Sequence, residues 1–320
     1  MCPKANLLNA NLPWAVNDFG DRAAQKGPRV IPNVYRFVFG LRRQDEPFHL
    51  LHYLCLASCL EVNRPERVVV HCLHQPWGPL WERIRPRIEV AAINPASLPG
   101  ELPYDDPAIA RFSYAHQADF IRLQLLLEHG GVYADMDTLF VRQPEPALFD
   151  MPCVMGRERV DVAAAGDSQG SLCNALIMAE PDSEFIRRWL DAMPAAFDGS
   201  WSNHSTFLPY RLSQEYPALI HVEPESRFFY LDWTPSGIGD LFERAVALPE
   251  DGLSLHLWAH LWWDRERTDF SRFSADQFTA AYVRTAGTTY ARLARRFLPP
   301  EPLPIRLLQR LRDIAGQMRR

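Results

Sequence analysis

"ADFIRLQLLLEHGGVYADMDTLF" (residues 118–140) joins a leucine-rich segment, two glycines and two acids spaced by one residue. At about 100° per residue, Gln117, Gln124 and Glu128 share one helical stripe, and Phe120, Leu123, Leu126 and Leu127 gather opposite. Gly130 stands where such a helix ends. Asp119 and Arg122 fall in the middle of the apolar arc, where charge is costly unless it is paired or meets a ligand. After the glycines, "VYADMDTLFV" reads as a strand that breaks around Asp135 and Asp137. Residues two apart on a strand face the same side, so both carboxylates are expected to converge on one spot.

Upstream, "RVIPNVYRFVFG" reads as the first strand, "EPFHLLHYLCLASCLEVN" as a helix and "ERVVVHCL" as a buried strand. "PLWERIRP" then reads as a short helix and "RIEVAAI" as a strand. This β-α-β-α-β order implies an α/β domain whose mostly parallel central sheet is flanked by helices. In such sheets ligands bind beyond the carboxyl ends of the strands, where the two acids fall. Downstream, "PCVMGRERVDVAAAG" is expected to form a strand pair, and "EPDSEFIRRWLDAM" a helix capped by Asp182 or Ser183. "LIHVEPESRFFYLDW" reads as further strands and "SADQFTAAYVRTAGTTYARLARRF" as helical. The organisation expected is an arm over 1–29, one domain over 30–297 and a proline-bounded tail over 298–320.

With 47% hydrophobic and 23% charged residues, the composition is that of a globular protein. A net charge of −5 gives no reason to expect nucleic acid. Six cysteines lack metal-binding spacing, which favours reduced, buried thiols. No secretory leader or membrane-spanning run stands out, so a cytoplasmic protein is expected. Leu307, Leu311, Ile314 and Met318, set among arginines, suggest a basic amphipathic helix. Peripheral contact with the inner face of an anionic membrane and packing on the protein itself both fit it.

Two carboxylates at a strand end suit Mg²⁺ or Mn²⁺, with water and phosphate oxygens completing the shell. A bare D-x-D means little, since about one is expected by chance in a chain of this size. The full array, D-x-x-R, leucine-rich helix, GG-x-Y and D-x-D, is more specific. It resembles the signature of sugar transferases with the DXD motif: glycosyltransferase family 32, the α-1,4-galactosyltransferases and, remotely, the glucosyltransferase domains of clostridial toxins. The likeness is close over 115–141 and looser at "RVIPNVYRFVFG", "SLCNALIMAEP" and "LSLHLWAHLWW".

The resemblance implies a GT-A nucleotide-sugar-binding fold, a nucleotide-sugar donor (a UDP-sugar), Mn²⁺ or Mg²⁺, and transfer with retention to an unidentified acceptor. Position by position, Asp135 and Asp137 become the metal and ribose–diphosphate acids, with His256 as third ligand and His260 as its alternative. Asp119 and Arg122 become contacts to the donor sugar and diphosphate, and Asn174 lies near both sugars. Phe37, Val38 and Phe39 would cradle the base, with Gly131 and Tyr133 completing the donor site. Arg36 and Phe39 stand where relatives carry His and Trp, and "NHSTFLPYRLSQEYP" replaces a usual Gly-Pro segment. Trp258, Trp262 and Trp263 fit either an acceptor groove or core. Two other readings compete: a Mg²⁺-dependent nucleotidyl- or phosphotransferase, for which no Gly-rich phosphate loop is present, and a non-catalytic sugar- or partner-binding descendant.

Overall fold

The computed structural model describes residues 31–100, 102–104, 107–266 and 268–300, so the arm and nearly all of the basic tail lie outside the described residues. The first strand, β1 (Val34–Val38), is buried along its whole length, as its apolar run requires. It pairs in parallel with β2 (Arg67–Cys72), and β2 with β3 (Glu89–Ala92). Helices Leu50–Ser58 and Pro79–Ile84 carry the crossovers that parallel pairing demands. On the other side of β1 lies β4 (Gly131–Ala134), again parallel and delivered by the long helix Ser113–His129.

Beyond β4 the sheet becomes mixed. β7 (Leu172–Ala179) runs antiparallel to β4, β6 (Cys153–Arg157) antiparallel to β7, and β8 (His221–Glu223) parallel to β6. The seven-stranded order is β3-β2-β1-β4-β7-β6-β8, a mostly parallel α/β sheet as the element order predicts. A second ladder pairs β5 (Thr138–Phe140) with β9 (Ser254–His256), and it is this ladder that builds the site.

Alternate strand residues feed two cores, because successive side chains point to opposite faces. Tyr35, Phe37, Val132 and Ala134 pack with Leu51 and Leu54 of helix Leu50–Ser58. Tyr133, Met155 and Ile177 pack with Leu123, Leu126 and Trp189 of the helices covering the other face. Cys55, Cys59, Cys72, Cys153 and Cys173 are buried free thiols, as expected.

Several expectations need correction. The 152–166 stretch holds one strand, β6, which pairs with β7 and β8 and not with a second strand of its own stretch, and turns follow it. The 219–233 stretch yields only β8 and a helix, Glu225–Phe228, because Phe228 and Phe229 pack inward as a pair. The 274–297 segment breaks into helices Ala280–Thr285 and Thr289–Ala294, capped by the side chains of Thr279 and Thr288. Ser183 is the N-cap residue of helix Glu184–Ala196, but its side chain accepts no capping bond.

The glycine pair also does something other than admit a ligand. A Cβ on Gly131 (φ +109°) would sit 2.4 Å from the Val34 carbonyl oxygen, so only glycine lets β4 lie against β1. Both glycines stand at the N-terminal end of β4, whereas the acids follow its C-terminal end. Gly131, which the resemblance places in the donor site, thus stands at the opposite end of β4 from the acids.

Candidate active site

The chain leaves β4 at Ala134 and turns over Asp135, Met136 and Asp137 before starting β5. The acids therefore do not sit on a strand, and the period-2 argument for their convergence fails. They converge because the turn is pinned from both sides. The Asp135 amide donates to the Ala175 carbonyl at 2.8 Å, and the Thr138 amide closes the turn on the Asp135 carbonyl at 3.1 Å. Pairing of β5 with β9 then sets Thr138 opposite His256.

His256 Nε2 lies 3.2 Å from Asp137 Oδ1 and 3.9 Å from Asp135 Oδ2. One ligand atom from each of Asp135, Asp137 and His256 falls within 4.8 Å of the others, the span of one cation's inner shell. Two carboxylates and an imidazole fit a divalent ion that keeps positions open for phosphate, although Asp135 also faces the Arg122 guanidinium at 3.3 Å. His260 does not join the trio; its ring stacks on Trp201 at 4.7 Å.

Asp137 is held hard. The Leu257 amide donates to its carbonyl at 3.0 Å and the Ala259 amide to its Oδ2 at 2.8 Å. Between those amides Trp258 adopts φ +53°, a left-handed conformation unfavourable for so bulky a residue, which lets the chain turn both amides onto one aspartate. Its ring compensates by packing 4.1 Å from His256 and donating Nε1–H to the Leu231 carbonyl. Burial opposes ionisation of Asp137, but His256 and the Ala259 amide outweigh it and hold the carboxyl well below its usual range. At Asp135 burial prevails over Arg122 and His256, and the neighbouring Asp137 charge adds to it, so that pKa is raised.

Arg122 and Asp119 form the buried pair that their places on the apolar arc predict, Nη2 to Oδ1 at 2.9 Å. The same guanidinium donates to the Asn174 carbonyl at 2.7 Å, lies 3.3 Å from Asp135 Oδ1 and covers the Tyr133 ring at 4.6 Å. Burial disfavours its charge, yet Asp135, Tyr133 and Asp119 raise its pKa further, so it stays a cation. Asn174 Nδ2 donates to Asp119 Oδ1 at 2.8 Å, and the Tyr133 hydroxyl donates to Asp135 Oδ1 at 2.6 Å. The structure thus gathers Asp119, Arg122, Tyr133, Asp135, Asp137, Asn174 and His256.

It does not gather Phe37, whose ring is fully buried and has no face for a base. Val38 is buried as well, and Phe39 is half-buried, its ring against Phe48 and His52. Trp258 and Trp262 are core, whereas Trp263 is 36% exposed.

Sequence reasoning missed four neighbours. His52 bonds the Met136 carbonyl through Nδ1 at 3.1 Å, and burial lowers its pKa to about 4, so it stays neutral and donates. His204, fully buried on the π-helix Asn203–Phe207, bonds Asp119 Oδ2 at 3.0 Å. Glu158 is a buried carboxyl bonded by Ser171 Oγ at 2.6 Å, with its pKa raised by burial. Trp201 precedes the same π-helix. Nothing in the spacing of these residues marks them. A second group, His116, Asp119 and His204, also converges within 4.8 Å, but it offers one carboxylate, whose two oxygens already take Arg122, Asn174 and His204, and this disfavours a cation there.

Residues 96–153, which contain Asp119, Arg122, Tyr133, Asp135 and Asp137, match the model of the glycosyltransferase sugar-binding region containing the DXD motif. Over 217 residues the chain is 32% identical to glucan organizing enzyme 1 of Cryptococcus neoformans var. grubii serotype A, covering 65% of this chain and 57% of that protein. Among solved structures, it is similar to galactosyltransferase LgtC in complex with donor and acceptor sugar analogues, at 14% identity and TM-score 0.44, over 84% of this chain and 98% of that one. It is also similar to the PaToxG glycosyltransferase, at 16% identity and TM-score 0.41, over 59% and 72%.

Proposed function

We propose that this DXD-bearing chain is a metal-dependent, retaining glycosyltransferase of the GT-A type that moves a sugar from a nucleotide-diphosphate donor, a UDP-sugar, to an acceptor hydroxyl. The observation that carries this reading is the convergence of Asp135, Asp137 and His256 on one point beside a buried, permanently charged Arg122. The match of residues 96–153 to DXD sugar-binding regions supports it.

Asp135, Asp137 and His256 would hold the divalent ion, and the imidazole nitrogen favours Mn²⁺ over Mg²⁺. When bound, that ion supplies positive charge to the donor diphosphate. The rest is this chain's own work. Arg122, locked by Asp119, Asp135 and the Asn174 carbonyl, aims a fixed cation at the leaving oxygen, and burial keeps its field unscreened. Asp119 and Asn174 hold the hydroxyls of the donor sugar. Tyr133 acts through Asp135, which its hydroxyl orients. The backbone of Val38 and Phe39, at the C-terminal end of β1, cradles the base. Retention follows from front-face attack: the bond from acceptor oxygen to anomeric carbon forms as the bond to the diphosphate breaks, and the hydroxyl proton passes to the departing phosphate oxygen.

The curated relative's name points to glucan, and a polysaccharide acceptor is the class we assign here. The chain spans 57% of that relative, so this assignment concerns the shared portion. No helix among the described residues is long and apolar enough to cross a membrane. A cytoplasmic protein whose basic tail touches the membrane surface belongs to the same proposal. Thermal-shift and hydrolysis assays over a panel of UDP- and GDP-sugars, with and without Mn²⁺, test it. A Mn²⁺-dependent shift with slow hydrolysis of one donor is expected; binding of none overturns it.

A further inference from the structure

Of the five large apolar side chains exposed among the described residues, two flank the acid turn, Trp201 and Trp263. Each indole has one face on a histidine tied to that turn, and each is more than a third exposed. Trp201 stacks on His260 at 4.7 Å and 25°, and Trp263 on His52 at 5.5 Å and 19°. His260 follows Ala259, whose amide holds Asp137, and His52 holds the Met136 carbonyl. His260 and Trp263 are three residues apart on and just past the short helix Ala259–Trp262, so they share a face. That helix therefore joins the two stacked pairs, Trp201 on His260 and Trp263 on His52, into one strip beside the turn.

Its two ends have different neighbours. The Trp263 end continues through His52 to Phe39, 4.7 Å away, at the strand end assigned above to the base. The Trp201 end runs the other way. Its indole meets Phe112 edge-on at 5.8 Å and His116 at 5.4 Å, and Ser205 Oγ fixes its carbonyl at 2.8 Å. Three residues on, His204 bonds Asp119, the carboxylate assigned to the donor sugar. Running from base to metal to sugar, the strip ends at Trp201, beside the place where the anomeric carbon would lie.

We propose that Trp201, backed by His260 and Phe112, is the acceptor platform, and that the acceptor is an oligosaccharide one of whose rings packs on that indole. This rests on the glycosyltransferase reading. An acceptor hydroxyl has to reach the sugar end of the donor, and the exposed surface it meets there is a flat indole. The C–H face of a pyranose packs on such a ring while its hydroxyls stay in water, which answers both the apolar and the wet side of a half-exposed tryptophan.

The test uses the full chain with Mn²⁺ and UDP on an array of mono- to hexasaccharides. UDP affinity is measured first on each protein. The wild type should retain a subset of oligosaccharides. Trp201→Ala should lose at least tenfold of that retention with UDP affinity within threefold, and Trp201→Phe, which keeps a ring, should recover most of it. A wild type that binds UDP but retains no oligosaccharide overturns the platform, and so does retention unchanged in Trp201→Ala. UDP affinity lost in Trp201→Ala would put the indole on the donor and overturn it as well. If the wild type fails to bind UDP or any nucleotide-sugar with Mn²⁺, the donor reading falls and the platform with it, a failure visible before any glycan is tried.

Discussion

Replacing Arg122 by lysine keeps the charge and discards the fork, and the structure allows the consequence to be sized. The guanidinium makes four directed contacts: Asp119 at 2.9 Å, the Asn174 carbonyl at 2.7 Å, the Ala118 carbonyl at 3.2 Å and Asp135 at 3.3 Å. It also covers the Tyr133 ring at 4.6 Å. One ammonium cannot reach both Asp119 on the helix and Asp135 beyond β4 with comparable geometry. At least two charge-assisted bonds are lost, each about 1.5–3 kcal/mol, and one buried carboxylate is left half-paired. A stability loss of about 3–5 kcal/mol follows, measured as a lowered urea midpoint at unchanged slope. Donor turnover should fall about a hundredfold or more, because the fixed positive charge moves off the leaving oxygen, at about 1.4 kcal/mol per factor of ten. Urea melts and Mn²⁺-dependent hydrolysis of the best donor on the same preparation read both effects. A variant that melts with the wild type and turns over within threefold would refute the claim that Arg122 ties the two acids together.

Asp137→Asn keeps the shape and the Ala259 bond but removes the charge facing His256; Mn²⁺-dependent donor binding and turnover should vanish while the metal-free melting temperature drops only a few degrees, and retained turnover with a collapsed fold would make the acids structural. Gly131→Ala drives a methyl to 2.4 Å from the Val34 carbonyl at φ +109°, so a loss of several kcal/mol is expected by chemical denaturation, and a neutral result would show that β4 shifts freely. Glu158 has its folded pKa raised by burial, so its ionisation costs stability that grows as pH rises from its ordinary value through the folded one. Glu158→Gln should accordingly raise the melting temperature at pH 8, with the gain fading towards pH 4; a gain independent of pH would mean that packing, not ionisation, is responsible. Thr288→Ala removes the N-cap of helix Thr289–Ala294 and should cost about 1 kcal/mol in thermal melts, with an unchanged midpoint showing the cap to be dispensable.

Much of this molecule is local enough to be read from its residues. The helical period of 115–129, the glycine stop and the strand runs at 34–38 and 67–72 follow from side-chain spacing, and they place the two acids beyond a strand of a mostly parallel sheet. The Asp119–Arg122 pair is legible for the same reason, since three residues on a helix are neighbours in space. The short strands and broken helices after residue 150 were less legible. β6 and β7 pair across a long turn, and segments such as 225–229 take their conformation from where Phe228 and Phe229 are buried.

The site itself divides along that line. Its acids are marked by a motif, but the reason they converge is not their spacing on a strand. β5 leaves the main sheet and pairs with β9, which brings His256 against Asp137, 119 positions away in sequence, and a π-helix brings in His204, 85 positions from Asp119. Such contacts carry no periodicity, because nothing about a lone histidine records which distant carboxylate it will face. The chain's own order thus settled the sheet and the acids; only the closed fold decided their partners, because long-range burial, not local spacing, chooses who meets whom.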